Sequence, residues 1–152
     1  MKLLSNDEFK SIIKLTPLVA FDMIIEYDNK ILLGKRINNP AKGFYFIPGG
    51  RILKNETISS ACKRLTLVEL GFEINLNKFT FHMNTEHIYE NNFFNNEFKT
   101  HYVCLCYKYK LNEDEYKKIN IDSQHEETKW MTVNELLNYQ TVHINTKNYF
   151  NL

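Results

Sequence analysis

The chain has 152 residues, a length that suits one domain and leaves no room for a second DNA-reading or oligomerisation module. Its 19 basic and 18 acidic residues give a net charge of +1, so no broad cationic surface is available to attract nucleic acid. No window approaches the roughly 18 apolar residues of a membrane span, and Lys2, Asp7 and Glu8 stand where a signal peptide needs an apolar stretch. We therefore expect one cytoplasmic domain over residues 1–152, with neither nucleic acid nor a membrane as partner.

The first third of the chain predicts a helix followed by short strands. Residues 5–8 have the S-x-x-E form of a capping box, which predicts a short opening helix. Residues 18–27 and 31–36 are β-prone and flank a polar triplet, a pattern that predicts a hairpin. Residues 44–47 predict a third strand, stopped by Pro48-Gly49-Gly50, where the backbone can approach a ligand closely.

A second helix is predicted between Asn55, a good N-cap residue, and Gly71, with Glu56 in its first turn. Four of its residues recur at helical spacing and predict a buried stripe: Ile58, Ala61, Cys62 and Leu65.

The remaining elements are mostly strands. Residues 79–89, 100–111 and 127–131 predict three more strands, and residues 132–135 form a second capping box that opens a late helix. Many strands mixed with few helices predict an α+β fold, in which a mixed β-sheet is sandwiched between helices.

The three cysteines show no paired ligand spacing. Cys104 and Cys106 alternate with Leu105 in a predicted strand, and Cys62 lies in the apolar stripe. We interpret all three as buried free thiols, because a free cysteine behaves as a small hydrophobic residue.

Glu69 is the unusual residue of the second helix. It lies eleven residues after Ile58, which places it roughly 20° from Ile58 around the helix and therefore within the apolar stripe. A buried carboxylate needs a partner, and helix periodicity alone leaves an ion pair and a bound metal equally open.

The spacing of Gly50, Glu56, Arg64, Glu69 and Gly71 resembles the Nudix box, G-x5-E-x7-R-E-U-x-E-E-x-G-U, where U is aliphatic. The match is incomplete, because Leu65 and Val68 stand where the box has glutamates. Glu69 is the carboxylate that remains after the arginine, and one carboxylate cannot gather several cations for attack at phosphorus.

The whole chain resembles one Nudix subfamily, the GDP-mannose mannosyl hydrolases, whose box carries these same substitutions. The resemblance rests on seven segments, which are residues 16–19 leading to Asp22, 32–36, 48–51, 56–57, 64–71, 100–103 and 124–125. It implies a Nudix fold and hydrolysis of GDP-mannose, with GDP-glucose a second substrate, to GDP and free sugar. Water would attack the anomeric carbon with inversion.

The same resemblance implies one Mg²⁺ per active site. Its ligands would be the Glu69 carboxylate, the Gln124 side-chain oxygen and the Gly49 carbonyl, and an all-oxygen shell suits magnesium. His125 would be the general base that deprotonates water, since an ordinary histidine pKa of about 6.5 fits that task. Without the resemblance, we would interpret Gln124 and His125 as solvated loop residues.

For the substrate, the resemblance implies that Arg36, Arg51 and Arg64 clamp the diphosphate, with Tyr102 donating to it. For Arg64 an equal alternative is a structural pair with Glu56. Asp22 and His87 would lie near the sugar and the scissile bond, although Asp22 could be a surface residue and Tyr102 could be core.

Lys2, Leu3 and Phe9 match the amino-terminal region that helps to form the nucleotide pocket across a homodimer interface in this subfamily, although Phe9 could equally be core. His82, His101 and His143 are interpreted as structural. Two rival functions stay open: a diphosphatase that attacks phosphorus, and a nucleotide-sugar sensor without catalysis.

Overall fold

The structure is a computed structural model that describes residues 4–119 and 127–151. Five α-helices are α1 (Asn6–Leu15), α2 (Ile58–Leu70), α3 (Glu113–Lys118), α4 (Val133–Asn138) and α5 (Ile144–Lys147). Seven strands are β1 (Leu18–Tyr27), β2 (Lys30–Lys35), β3 (Tyr45–Phe46), β4 (Gly49–Arg51), β5 (Thr80–Tyr89), β6 (Thr100–Lys110) and β7 (Thr128–Met131), and a short 3₁₀ helix covers Leu76–Lys78. Among these residues no helix has the length and apolarity needed to cross a membrane.

The strands form one mixed sheet in the order β3-β2-β1-β6-β5. β1 runs parallel to β6, with Leu18 opposite Tyr102 and Glu26 opposite Lys110, and the other pairings are antiparallel. β4 pairs with β1 and β7 pairs with β2, so each lies off the main path of the sheet. β1 is therefore the strand that connects most of the sheet.

Helices cover both faces of this sheet, as the sequence predicts. Alternate side chains of β1 point to opposite faces. Phe21, Met23 and Ile25 pack on one face with Cys62 and Leu65 of α2. On the other face Ile24 packs with residues of the carboxyl-terminal segment, which are Leu136, Val142 and Tyr149.

The predicted local signals near the first hairpin and the helix starts are confirmed. Asp28 and Asn29 have φ angles of 49° and 58°, the left-handed conformation that a two-residue type I′ turn requires at both positions. The capping boxes of Ser5 with Glu8 and of Thr132 with Glu135 are both formed.

The start of α2 was predicted wrongly. The N-cap is Thr57, whose side chain accepts a hydrogen bond from the Ser60 N–H, and α2 begins at Ile58. Asn55 has a φ of 65° and belongs to the preceding turn, because an N-cap residue needs an extended backbone. Glu56 therefore precedes the helix, and Ile58 is 37% exposed instead of lying in the buried stripe.

The third strand ends before Pro48, as predicted, but the strand that follows was not predicted. Gly49–Arg51 form β4, in which Gly49 lies opposite Asp22 of β1. A β-carbon on Gly49 would contact the Asp22 carboxylate and would lie 2.7 Å from the Phe21 carbonyl oxygen. The glycine thus permits a closer approach of the two strands than a larger residue could.

Candidate functional site

A cavity opens beside β1 on the face that carries the carboxyl-terminal helices. Its lining includes six of the residues expected in the site, which are Asp22, Arg36, Gly49, Arg51, His87 and Tyr102. The rest of the wall comprises Ala20, Phe46, Ile47, Gly50, Tyr89, Cys104, Thr146 and Tyr149. Six strands or their ends and α5 therefore contribute to one concave surface.

Asp22 is held in this wall by two neighbours. The Tyr149 hydroxyl donates a hydrogen bond of 2.6 Å to Asp22 Oδ2, and the Cys104 thiol donates a second. Burial raises the pKa of Asp22 to about 6, while these two hydrogen bonds and the charge of Arg36 oppose that increase. The carboxylate is thus fixed in orientation and is ionised at neutral pH.

His87 faces the same space as a neutral ring. It is 5% exposed, and burial together with the nearby His143 lowers its pKa to about 4. Nδ1 lies 3.4 Å from the Cys104 sulfur, whereas Nε2 is buried and finds no hydrogen-bond partner in residues 4–119 and 127–151. A neutral imidazole at this position can accept or donate one hydrogen bond to a ligand.

Two guanidinium groups give the cavity its positive charge. Arg36 lies over the Phe46 ring at 5.5 Å, and Arg51 lies over the Phe9 ring at 4.6 Å. Burial raises the pKa of Tyr102, and the charges of both arginines act against that rise, so the phenol lies within their field. The Arg36 Nε is buried without a partner in the described residues. This combination favours an anionic ligand.

Arg64 is engaged in the structural pair that was one of its two predicted roles. Its Nε donates to Glu56 Oε1 at 2.7 Å and its Nη2 donates to Glu56 Oε2 at 2.8 Å. Nη2 also donates to the Arg51 carbonyl oxygen, and the Leu53 N–H donates to Glu56. This network fixes the loop before α2 and the end of β4. Contact between Arg64 and substrate remains a prediction.

Glu69 lies half-buried on α2, one turn after Leu65. β4 approaches this part of the helix so closely that a β-carbon on Gly50 would lie 2.7 Å from Leu65 Cδ2. The neighbouring Gly49 could offer its carbonyl oxygen. Glu69 and Gly49 supply oxygen donors only, and such donors fit a hard divalent cation.

Four of the predicted site residues lie outside the described residues: Lys2, Leu3, Gln124 and His125. Their assigned roles stay predictions. Phe9 is half-buried and contacts the Arg51 guanidinium as well as Phe93 and Phe94, so in this structure it packs beside a cavity residue.

Sequence reasoning did not assign Cys104, Thr146 or Tyr149 to the site, although all three line the cavity. Cys104 and Cys106 are buried free thiols, as predicted, but Cys104 additionally contacts Asp22 and His87. The need of the Asp22 carboxylate for a hydrogen-bond donor was a usable signal. It could not identify Tyr149, which lies 127 positions away in the sequence.

Comparison with known proteins agrees with this architecture. The NUDIX domain family matches residues 16–151. The chain belongs to the NUDIX family. Its fold matches that of a MutT NUDIX hydrolase from Burkholderia pseudomallei with a TM-score of 0.68 and 26% identity, covering 88% of this chain and 95% of that one.

Two curated relatives extend the NUDIX assignment. The low-salt glycan biosynthesis protein Agl8 of Haloferax volcanii is 33% identical over 125 residues, which are 82% of this chain and 76% of that protein. The ADP-ribose pyrophosphatase of Methanocaldococcus jannaschii is 53% identical over 57 residues, which are 38% of this chain and 34% of that protein. The predicted Nudix fold is confirmed, and the chain is a Nudix hydrolase.

Proposed function

We propose that this Nudix hydrolase converts GDP-mannose, and also GDP-glucose, to GDP and free sugar by attack of water at the anomeric carbon with inversion. The observation that carries the proposal is the α2 surface next to β4. Leu65 is 4% exposed and packs against Gly50, and the carboxylate of Glu69 follows one turn later. An apolar side chain therefore occupies a position where the Nudix box has a glutamate.

This surface favours one cation over several. Diphosphatase chemistry at phosphorus uses a cluster of carboxylates, whereas a lone carboxylate suits an ion that neutralises the leaving diphosphate. Glu69 and the Gly49 carbonyl fit Mg²⁺, and Gln124 would be the third protein ligand. A bound magnesium ion would stabilise the negative charge that develops on departing GDP.

Arg36, Arg51 and Tyr102 would bind the diphosphate. Guanidinium groups hold phosphate oxygens in fixed geometry and stay charged when partly buried. Arg36 Nε has no partner among residues 4–119 and 127–151, which supports this role, because a buried donor left unsatisfied is costly and a phosphate oxygen would satisfy it.

Asp22 and His87 would bind the sugar end, and His125 would deprotonate the attacking water. The ionised carboxylate of Asp22 can accept a hydrogen bond from a sugar hydroxyl and can stabilise positive charge at the anomeric carbon. His87 is neutral and can hydrogen-bond a hydroxyl through Nε2. The division between a leaving-group side and a water side resembles that of inverting glycosidases.

We also propose that the enzyme is a homodimer in which Lys2, Leu3 and Phe9 contribute to the nucleotide pocket. A groove between α1 and β1 supports this proposal, since it is mostly apolar and includes Arg51, which it shares with the cavity. Sedimentation equilibrium should give about twice the chain mass of 18.1 kDa. A mass equal to one chain would contradict the dimer.

The second candidate is cleavage at phosphorus, which would give GMP and mannose 1-phosphate. It is favoured by the local 53% identity to a protein named ADP-ribose pyrophosphatase. The glycan-related name of the longer match, Agl8, accords better with a nucleotide-sugar substrate.

Product analysis tests the proposal. GDP-mannose, GDP-glucose and ADP-ribose are incubated with the enzyme with and without Mg²⁺, and the products are resolved by ion-exchange chromatography. We expect GDP and free sugar as the products, and we expect them only when Mg²⁺ is present.

His125→Gln should lower kcat by about 10²- to 10⁴-fold, the usual contribution of a general base. His101→Gln, outside the cavity lining, is the control.

GMP and a sugar phosphate as products would overturn the proposal in favour of a diphosphatase. Tight binding of GDP-mannose without turnover would overturn it in favour of a sensor.

A further inference from the structure

Three side chains with different metal-ligand chemistry meet at the inner end of the cavity. Asp22 offers a carboxylate oxygen, His87 a ring nitrogen and Cys104 a sulfur, and these atoms all lie within 4.8 Å of one another. The three residues come from β1, β5 and β6, neighbouring strands of the sheet. Rigid strands therefore hold them together.

The spacing suits a small tetrahedral ion. Zinc bonds of about 2.3 Å to sulfur and about 2.0 Å to nitrogen, at a tetrahedral angle, separate the two ligand atoms by about 3.5 Å. The Cys104 sulfur lies 3.4 Å from His87 Nδ1. Little movement of these two side chains is needed to admit an ion between them.

The surroundings also resemble those of a metal site. Cys104 is 1% exposed and His87 is 5% exposed, so protein groups, with little solvent, surround both ligand atoms. The Tyr149 hydroxyl holds Asp22 Oδ2, and such hydrogen bonds orient the carboxylates that ligate metals. The cavity gives the ion a path from solvent and room for a water molecule as fourth ligand.

We propose that Asp22, His87 and Cys104 form a second cation site, selective for a thiophilic divalent ion such as Zn²⁺ and distinct from the oxygen-lined site of Glu69 and Gly49. Sulfur and imidazole ligands favour such ions over Mg²⁺. On binding, the Cys104 S–H bond breaks, its proton passes to solvent and the thiolate sulfur bonds to the ion. No oxidation state changes.

Occupancy of this site would engage Asp22 and His87 and fill the cavity. Micromolar Zn²⁺ is therefore expected to inhibit the Mg²⁺-dependent reaction, an expectation that rests on the proposed function. Metal binding itself does not rest on it, so the two can fail separately.

Cobalt titration of the reduced protein tests the site. Co²⁺ bound by a thiolate shows a sulfur-to-metal charge-transfer band in the near ultraviolet and strong visible bands when the geometry is tetrahedral. We expect these bands to saturate at one equivalent per chain and to disappear when Zn²⁺ is added.

Cys104→Ser and Cys104→Ala should abolish the charge-transfer band. They should also weaken Zn²⁺ binding by more than the roughly 10- to 100-fold typical of losing an outer partner. Cys106→Ala, two residues along the same strand, is the matched control and should retain the band. Circular dichroism verifies that each variant is folded. Serine is nearly isosteric with cysteine, so Cys104→Ser removes the sulfur ligand while it preserves the packing of the cavity wall.

A wild-type protein without the charge-transfer band would overturn the proposal. So would a band that survives in Cys104→Ser, or one that is lost in Cys106→Ala.

Discussion

Asp22 and Tyr149 connect β1 to the carboxyl-terminal segment through one partly buried hydrogen bond. The phenol of Tyr149 is 1% exposed, and its hydroxyl is positioned to satisfy Oδ2 of a carboxylate whose pKa burial raises to about 6. At residue scale this bond orients the group proposed to act at the sugar end.

Tyr149→Phe removes the donor and leaves the ring. We expect a loss of roughly 1.5–3 kcal/mol in the free energy of unfolding, the usual range for a hydrogen bond to a charged group. We also expect kcat to fall more than KM rises, because the carboxylate loses its fixed orientation. Tyr116→Phe, on an aromatic cluster away from the cavity, is the control. Equal kinetic parameters in Tyr149→Phe and wild type would contradict this role.

Arg36→Lys tests the diphosphate clamp. Lysine keeps the charge but loses the planar fork and the Nε–H, so kcat/KM should fall by about 10- to 100-fold, equivalent to roughly 1.4–2.7 kcal/mol. Lys35→Arg is a suitable control, since Lys35 pairs with Glu127 at 3.5 Å. An Arg36→Lys enzyme with unchanged kcat/KM would show that the fork does not hold the substrate.

Residues of the site were assigned from the resemblance to a known subfamily. Asp22, Arg36, Arg51, His87 and Tyr102 come from different parts of the sequence, and the cavity brings them together. Cys104 was predictable as a buried thiol but not as a neighbour of Asp22, because strand register decides which side chains share a face. The same applies to Tyr149.

At element scale, the ion pair of Glu56 and Arg64 holds the loop before α2. The Glu56 side chain is 0% exposed and that of Arg64 is 32% exposed. The hydrogen bonds from Arg64 lower the pKa of Glu56 below its ordinary value of 4.5. The stabilisation is therefore complete above about pH 4.5 and is lost as the pH falls through the lower, folded-state pKa.

Glu56→Gln should destabilise the protein by about 3 kcal/mol at pH 7, because it leaves Arg64 without its buried partner. The difference from wild type should narrow below about pH 4.5, as measured by urea unfolding across pH. Glu113→Gln removes an exposed pair with Lys117 and should cost under about 1 kcal/mol. A difference that stays constant with pH would contradict the linkage.

The two glycines of β4 predict a graded result. Gly50→Ala places its β-carbon against the end of the Leu65 side chain, which can shift, and should cost about 1–2 kcal/mol. In Gly49→Ala the β-carbon would contact the Phe21 carbonyl oxygen and the Asp22 carboxylate, and the backbone carbonyl cannot shift as a side chain can. This substitution should therefore reduce stability more than Gly50→Ala does, and it should also reduce activity. Thermal unfolding of both variants tests the order, and the reverse order would be inconsistent with this packing.

The longer elements were predictable, whereas β4, α3 and α5 were not predicted and element ends were less accurate. Capping boxes and the two-residue turn act locally, so α1, α4 and the β1–β2 hairpin follow from a few adjacent residues. The start of α2 did not, because the pairing of Glu56 with Arg64 and the left-handed Asn55 keep the helix from beginning earlier.

At the scale of the whole molecule, the two faces of the sheet carry different groups of candidate site residues. The α2 face carries Glu69 and the loop network of Glu56 and Arg64, whereas the opposite face carries Asp22 and the carboxyl-terminal wall. β4 lies beside both, with Gly49 opposite Asp22 and Gly50 against Leu65. The mixture of many strands with few helices predicted a sheet between helices. The parallel pairing of β1 with β6 was not predicted and is seen in the structure.

The central claim is that water attacks carbon and leaves both phosphates on the nucleotide. Hydrolysis of GDP-mannose in ¹⁸O-labelled water, followed by mass spectrometry of the products, tests it directly. We predict that the label appears in free mannose and that GDP carries none. Label in a phosphate group of GMP or mannose 1-phosphate would contradict the account.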